Sequence, residues 1–189
     1  LKREDVYRIH SGFLPTDERS SLDGEVKLLR RSQIHDHART DGVENLITVT
    51  GVKYTTARQV AQQVINLALH KLDRPLVRCQ TAESPVHGGE ITHFDDFLSQ
   101  ALSFRPIGIS EQSMTHLVYS YGSAYSSILD YIAEESSWAE TITAESPVLK
   151  AEVIHAVRWE MAQTLADVAF RRTSLSAVEP LDYHSLRMC

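Results

Sequence analysis

Six residues, Gly51-Val52-Lys53-Tyr54-Thr55-Thr56, join a short apolar run to the start of a long amphipathic one. A strand that stops at glycine and turns into a threonine-flanked helix presents free backbone N–H groups and the positive end of the helix dipole at one point. Such a point suits an anion or an electron-rich ring, and Lys53 adds a mobile positive charge to it. On the residues alone, Gly51 equally serves as a plain turn and Lys53 as a solvated surface lysine. Three other groups carry chemistry-bearing side chains. His35-Asp36-His37, on a strand, would turn both imidazoles to one face as a metal pair, but no third ligand is evident, so a polar strand end is the favoured reading and no metal is expected. His87-Gly88-Gly89-Glu90 lacks the preceding strand and following basic residue of a phosphate loop and reads as a flexible linker. His155, one helical turn from Trp159, reads as a packed or capping side chain rather than a general base. No catalytic residue is assigned.

The elements that must position these groups follow from periodicity. Val6, Tyr7 and Ile9, then Val26, Leu28 and Leu29 running on through Ile34, then Leu46, Ile47 and Val49 read as strands, with turns at Asp23-Gly24 and Asp41-Gly42. A helix from about Thr55 to Leu72 places Ala57, Val60, Ala61, Val64, Ala68 and Leu72 on one face, expected to pack on the sheet. Asp73-Arg74-Pro75 ends it. Helices are then expected over 93–104, 110–119, 123–134, 148–160 and 161–171, with Ser110 and Ser123 as N-caps. The fold class is therefore α+β: a small β-rich segment with one long helix, followed by a mostly α-helical bundle domain. The expected domains are 1–75, a linker over 76–89, the helical domain over 90–175, and a tail over 176–189. Trp138 and Trp159 are expected in the core or at a domain interface. Glu152, Arg158, Glu160, Arg171 and Arg172 are expected in helix-surface salt bridges.

Composition narrows the function classes. The 189 residues are 42% hydrophobic with a net charge of −6, and their basic residues are scattered, which argues against a nucleic-acid surface. No apolar run approaches the ~20 residues that span a bilayer. The chain has neither a secretory apolar segment nor an initiating Met, so it reads as an excised piece of a longer, cytoplasmic protein. Cys79 and Cys189 have no metal-site spacing and suit a reducing compartment.

Taken together, Leu46 to Arg58, Tyr121-Gly122-Ser123, Val157-Arg158-Trp159-Glu160-Met161-Ala162 and Arg171-Arg172-Thr173 resemble, in order and spacing, the C-terminal part of the FAD-dependent glycerol-3-phosphate dehydrogenase family. The resemblance implies that residues 1–75 end a flavin and substrate region and that 90–175 form a helical cap domain. The glycine fingerprint GxGxxG that opens the family's dinucleotide fold is nowhere in the chain, so most of the FAD site would lie outside it and the fragment alone would be inactive. The parent protein would oxidise a polyol phosphate by hydride transfer to flavin, with quinone or oxygen as electron acceptor. Gly51, Val52, Lys53, Tyr54, Thr55 and Thr56 would border the flavin, their helix dipole favouring its reduced form, with Gly51 allowing close approach to the ring and Lys53 touching substrate phosphate or flavin oxygen. Peripheral membrane contact and homo-oligomers are compatible with this reading.

The sequence departs from the family in one place. Leu14, in Gly12-Phe13-Leu14-Pro15, replaces an arginine that grips the substrate's anionic end, which removes a bidentate donor. Either Lys53 or a residue in the absent half supplies that grip, or the substrate is less charged and contacts Phe13 and Leu14, as for a hydroxy-acid or amino-acid oxidase. A reading from another class makes the helical half a non-catalytic interaction module, recognisable by an exposed apolar patch.

Overall fold

A computed structural model describes residues 2, 3, 6, 9, 11–16, 27–51, 53–178 and 186–187. Tyr7, Val26, the Asp23-Gly24 turn, Val52, Pro180 and Cys189, which carried sequence expectations, lie outside the described residues. The chain divides into two units: His10–Ser84, and Pro85–Cys189 together with Leu1–Ile9.

The first unit is built on an antiparallel pair, β1 (Gln33–Asp36) and β2 (Ile47–Thr50), in the register Gln33↔Thr50 to Asp36↔Ile47. A single bridge joins Thr16 to Leu28. Neither Val6 nor Ile9 is in a strand, so the described part is less β-rich than the alternation suggests. Between the strands, Asp36 caps a short helix α1 (His37–Thr40) by accepting from the Ala38 N–H, and Gly42 and Asn45 turn the chain back with positive φ. After β2 a 3-10 turn (Tyr54–Thr56) leads into α2 (Ala57–Lys71). The expected apolar stripe exists, but it is not sealed onto the sheet: α2 has no buried residue. Val60, Val64 and Ala68 are half-buried, while Ala57, Ala61 and Leu72 are exposed. The buried apolar core of this unit, among the described residues, reduces to Leu29.

The second unit is a helical bundle: α3 (Phe94–Ser103), α4 (Glu111–Tyr121), α5 (Tyr125–Glu134) and α6 (Lys150–Arg158), then α7 (Leu165–Asp167) and α8 (Leu175–Val178). Apolar positions at helical spacing on α3 to α6 meet in a core of Ala101, Ile109, Met114, Leu117, Val118, Ile128, Tyr131, Leu149 and Ala151. A second cluster, Ile142, Val148, Val153, Ala156, Ala162, Val168 and Leu175, carries the chain past α6. Ser110 caps α4 as expected, accepting from the Ser113 N–H at 2.9 Å. Ser123 does not cap α5; its hydroxyl donates to Glu90 at 2.9 Å, and a 3-10 turn over Gly122–Ala124 opens the helix.

The expected helix 161–171 is interrupted. Met161 takes a positive φ of 58°, the helix restarts only at the Thr164 cap, and Val168–Arg172 widens into a π turn closed by the Thr173 N–H to the Val168 carbonyl. Among the described residues no helix is long and apolar enough to cross a membrane.

Candidate functional site

Antiparallel pairing decides what surrounds the Lys53 turn. Because Gln33 pairs with Thr50, the residues just before β1 lie beside those just after β2. Arg30, Arg31 and Ser32 thereby line the same cavity, about 570 Å³, as Lys53, Thr56, Gln59, Val60 and Gln63. Among the described residues no carboxylate pairs with Arg30, Arg31 or Lys53, so three exposed positive side chains share one cavity. The arginine pair was not singled out in the sequence; it becomes meaningful only through the strand register.

A second, mostly apolar cavity of about 600 Å³ also touches Lys53. Its walls include Phe13, Leu14, Gly51, Tyr54, Val60 and Val64. Leu14 therefore borders the apolar cavity and not the basic one. Lys53, Tyr54 and Thr55 are exposed and Thr56 is half-buried. No side chain caps the helix start, and the Thr56 hydroxyl donates instead to the Lys53 carbonyl at 3.2 Å. The turn is thus open, with N–H groups and the dipole end available. Gly51 has a local reason to lack a side chain: an added Cβ would lie 2.7 Å from the Ser32 hydroxyl.

His35 and His37 do not share one strand face, because β1 ends at Asp36 and His37 opens α1. Their rings nonetheless lie 4.4 Å apart, edge to face, and Asp41 supplies the third group that the sequence reading lacked. It sits 3.0 Å from His35 and is held below the usual aspartate range by hydrogen bonds from His35 and then His37.

In the helical unit, polar chemistry gathers on Glu152, which is buried and not on the helix surface as expected. Its carboxylate accepts from the Leu149 N–H at 2.8 Å and from Tyr121 Oη at 3.1 Å, and lies 3.1 Å from His116 Nε2. Burial, then the Glu152 charge, pushes the Tyr121 phenol upward, so it stays a donor. Arg158 pairs with Glu134, Arg171 with Asp167, and Arg172 donates to the Glu160 carbonyl. Trp159 is 72% exposed, which removes the core from its two expected places and leaves a domain interface, whereas Trp138 is half-buried under the Arg158 guanidinium.

The His87–Glu90 stretch is exposed apart from Gly88 but is tethered to Ser123 at Gly88 and Glu90. Gly88 is buried, and its carbonyl accepts from the Ser123 N–H at 2.9 Å. A Cβ on Gly122 would lie 2.0 Å from that carbonyl oxygen. The two glycines line a cavity of about 430 Å³ with His87, Tyr121, His155 and Glu160. Among the described residues His155 Nδ1 and one Glu160 oxygen are buried without a partner, and desolvation holds the His155 pKa below its ordinary value.

The comparisons with known proteins agree with one another. Residues 79–185 match the family model described as the C-terminal domain of alpha-glycerophosphate oxidase. A glycerol-3-phosphate dehydrogenase of Synechocystis sp. is 33% identical over 94% of this chain and 32% of its own length. A probable mitochondrial glycerol-3-phosphate dehydrogenase of Dictyostelium discoideum is 29% identical over 95% of the chain and 28% of its own length. One from Arabidopsis thaliana is 25% identical over 95% and 29%, respectively. The chain thus spans about a third of the length of these relatives. It belongs to the glycerol-3-phosphate dehydrogenase and alpha-glycerophosphate oxidase family, whose C-terminal domain it carries over residues 79–185.

Proposed function

We propose that the chain is the C-terminal part of an FAD-dependent oxidoreductase acting on glycerol 3-phosphate, and that the Arg30–Arg31–Lys53 cavity holds the substrate's phosphate. The observation that carries this reading is the convergence of three cations, unpaired among the described residues, with Thr56, Gln59 and Gln63 around one cavity. Planar guanidinium forks match phosphate geometry, and Lys53 adds a compact charge. Arg30 and Arg31 offset the loss of the family arginine at Leu14. That leucine instead extends the apolar wall beside Tyr54 and Gly51.

The open, uncapped helix start fits a flavin edge. Gly51, Val52, Lys53, Tyr54, Thr55 and Thr56 would border the ring, their backbone N–H groups and dipole end facing its electron-rich side. When bound, FAD supplies the hydride acceptor. This chain's residues supply the rest: the cations orient the phosphate, the apolar wall limits water, and the helix start stabilises negative charge that builds up opposite it. Residues 1–75 would close the flavin and substrate region, and 90–175 would form the helical C-terminal domain after the 76–89 connection. Because the relatives are about three times longer, the chain alone should be inactive. Its acceptor would be quinone or oxygen, and its setting cytoplasmic, at most touching a membrane surface.

The isolated chain should purify without stoichiometric FAD and show no turnover. In the intact protein, glycerol 3-phosphate should bleach the flavin at far lower concentrations than unphosphorylated glycerol. Bleaching by hydroxy or amino acids alone would transfer the assignment to an oxidase of an unphosphorylated substrate, the reading that the apolar cavity at Phe13 and Leu14 would favour.

A further inference from the structure

We propose that His35, His37 and Asp41 bind a divalent transition metal of borderline softness, zinc before others. The three ligand atoms, one from each residue, lie within 4.8 Å of one another. A single carboxylate oxygen, Asp41 Oδ2, stands 3.0 Å from His35 Nε2 and 2.5 Å from His37 Nδ1. The fold creates this convergence in three steps. β1 carries His35 to its end, Asp36 caps α1 so that His37 opens it, and the four-residue helix brings Asp41 back over both rings.

The second ring nitrogen of His37 is already engaged. Its Nε2 lies 2.8 Å from the hydroxyl of Thr48, the residue that pairs with His35 across the strands. A histidine whose far nitrogen is held in this way presents the other nitrogen, here Nδ1, to a metal in a fixed orientation. The neighbouring cations do not compete for Asp41: Lys71 and Arg39 are both bound to Asp36, at 2.7 and 3.5 Å. Two imidazoles and one carboxylate form a donor set for zinc, not for calcium or magnesium, which take oxygen.

Without metal, Asp41 accepts from the facing nitrogens in the tautomers that place a proton on each, and the Thr40 hydroxyl also lies 2.7 Å from His35 Nε2. One ion with bonds of about 2.0–2.1 Å replaces those protons and needs ligand separations of roughly 3.3–3.5 Å. The two separations to Asp41 are shorter by less than about 1 Å, which rotations of partly exposed side chains supply (His35 45%, Asp41 47%). Water takes the fourth position on the solvent side. The site uses none of the residues assigned to the substrate anion, so it stands or falls independently of the proposed function.

Cobalt(II) titration of the chelator-treated chain tests this. The expected result is a visible d–d band of tetrahedral intensity that saturates at one equivalent, is displaced by zinc and is unaffected by excess magnesium. His35→Ala, His37→Gln and Asp41→Asn should each weaken cobalt binding at least about tenfold, and Thr48→Ala should weaken it by a smaller factor. Circular dichroism establishes that each variant keeps the parent's fold; a variant that fails this is replaced by His35→Gln or Asp41→Ser. No band at one equivalent, or a band that survives the substitutions in folded protein, overturns the site.

Discussion

Gly122 shows how little room single atoms have in the helical unit. Its φ of +56° lies in the left-handed region, and its Cα approaches the Gly88 carbonyl so closely that a methyl group would overlap the oxygen at 2.0 Å. Gly122→Ala should therefore cost at least about 2 kcal/mol, from backbone strain and from forcing the Gly88 loop off α4. Urea unfolding checks the magnitude. Tyr121→Phe is a milder change with a different cause: it removes a hydroxyl donor from the buried Glu152 carboxylate. The expected loss is about 1–3 kcal/mol, and Glu152→Gln should partly relieve it by removing the charge left short of a donor.

At the scale of elements, α6 carries a pH dependence. His155 is half-buried between Tyr121 and Tyr131, with Glu160, His87 and Glu152 near enough to act on its charge. Desolvation outweighs the favourable carboxylates, so the folded pKa lies below 6.5. The unfolded chain then binds the proton more readily between those two values, and stability must fall as pH drops below about 6.5 toward the folded pKa. Melting temperatures from pH 7.5 to 5.5 should decline, and His155→Phe should flatten that part of the decline. The elements themselves were mostly legible. Helices α3 to α6 begin and end within a few residues of the apolar periodicity, because one face of each enters a shared core. The last helix was not, because a positive φ at Met161 and the π turn after Asp167 leave the apolar spacing intact while breaking the backbone. The candidate site was half legible: Lys53 and the glycine turn stand out locally, whereas Arg30 and Arg31 reach the cavity of Lys53, and Asp41 reaches the two histidines, only through strand register and the α1 fold-back.

For the whole molecule, the contrast between the two units matters most. The helical unit has two buried apolar clusters of its own. The unit over 10–84 leaves Phe13, Leu14, Val49, Tyr54 and Ile65 exposed around an open cavity, apolar surface that an additional layer of protein or a cofactor would cover. Limited proteolysis of the isolated chain should accordingly cut within 10–84 before it cuts within 90–175, and the order should reverse or vanish in the intact protein.

The claim that Arg30, Arg31 and Lys53 grip a phosphate has one direct test. In the intact enzyme, kcat/KM should be compared for glycerol 3-phosphate and for unphosphorylated glycerol in the parent, Arg31→Ala and Lys53→Ala. The account predicts a loss of about 100-fold for the phosphorylated substrate, corresponding to roughly 2.7 kcal/mol of lost charge-assisted binding, with little change for glycerol. Equal losses on both substrates, or none on either, would contradict it.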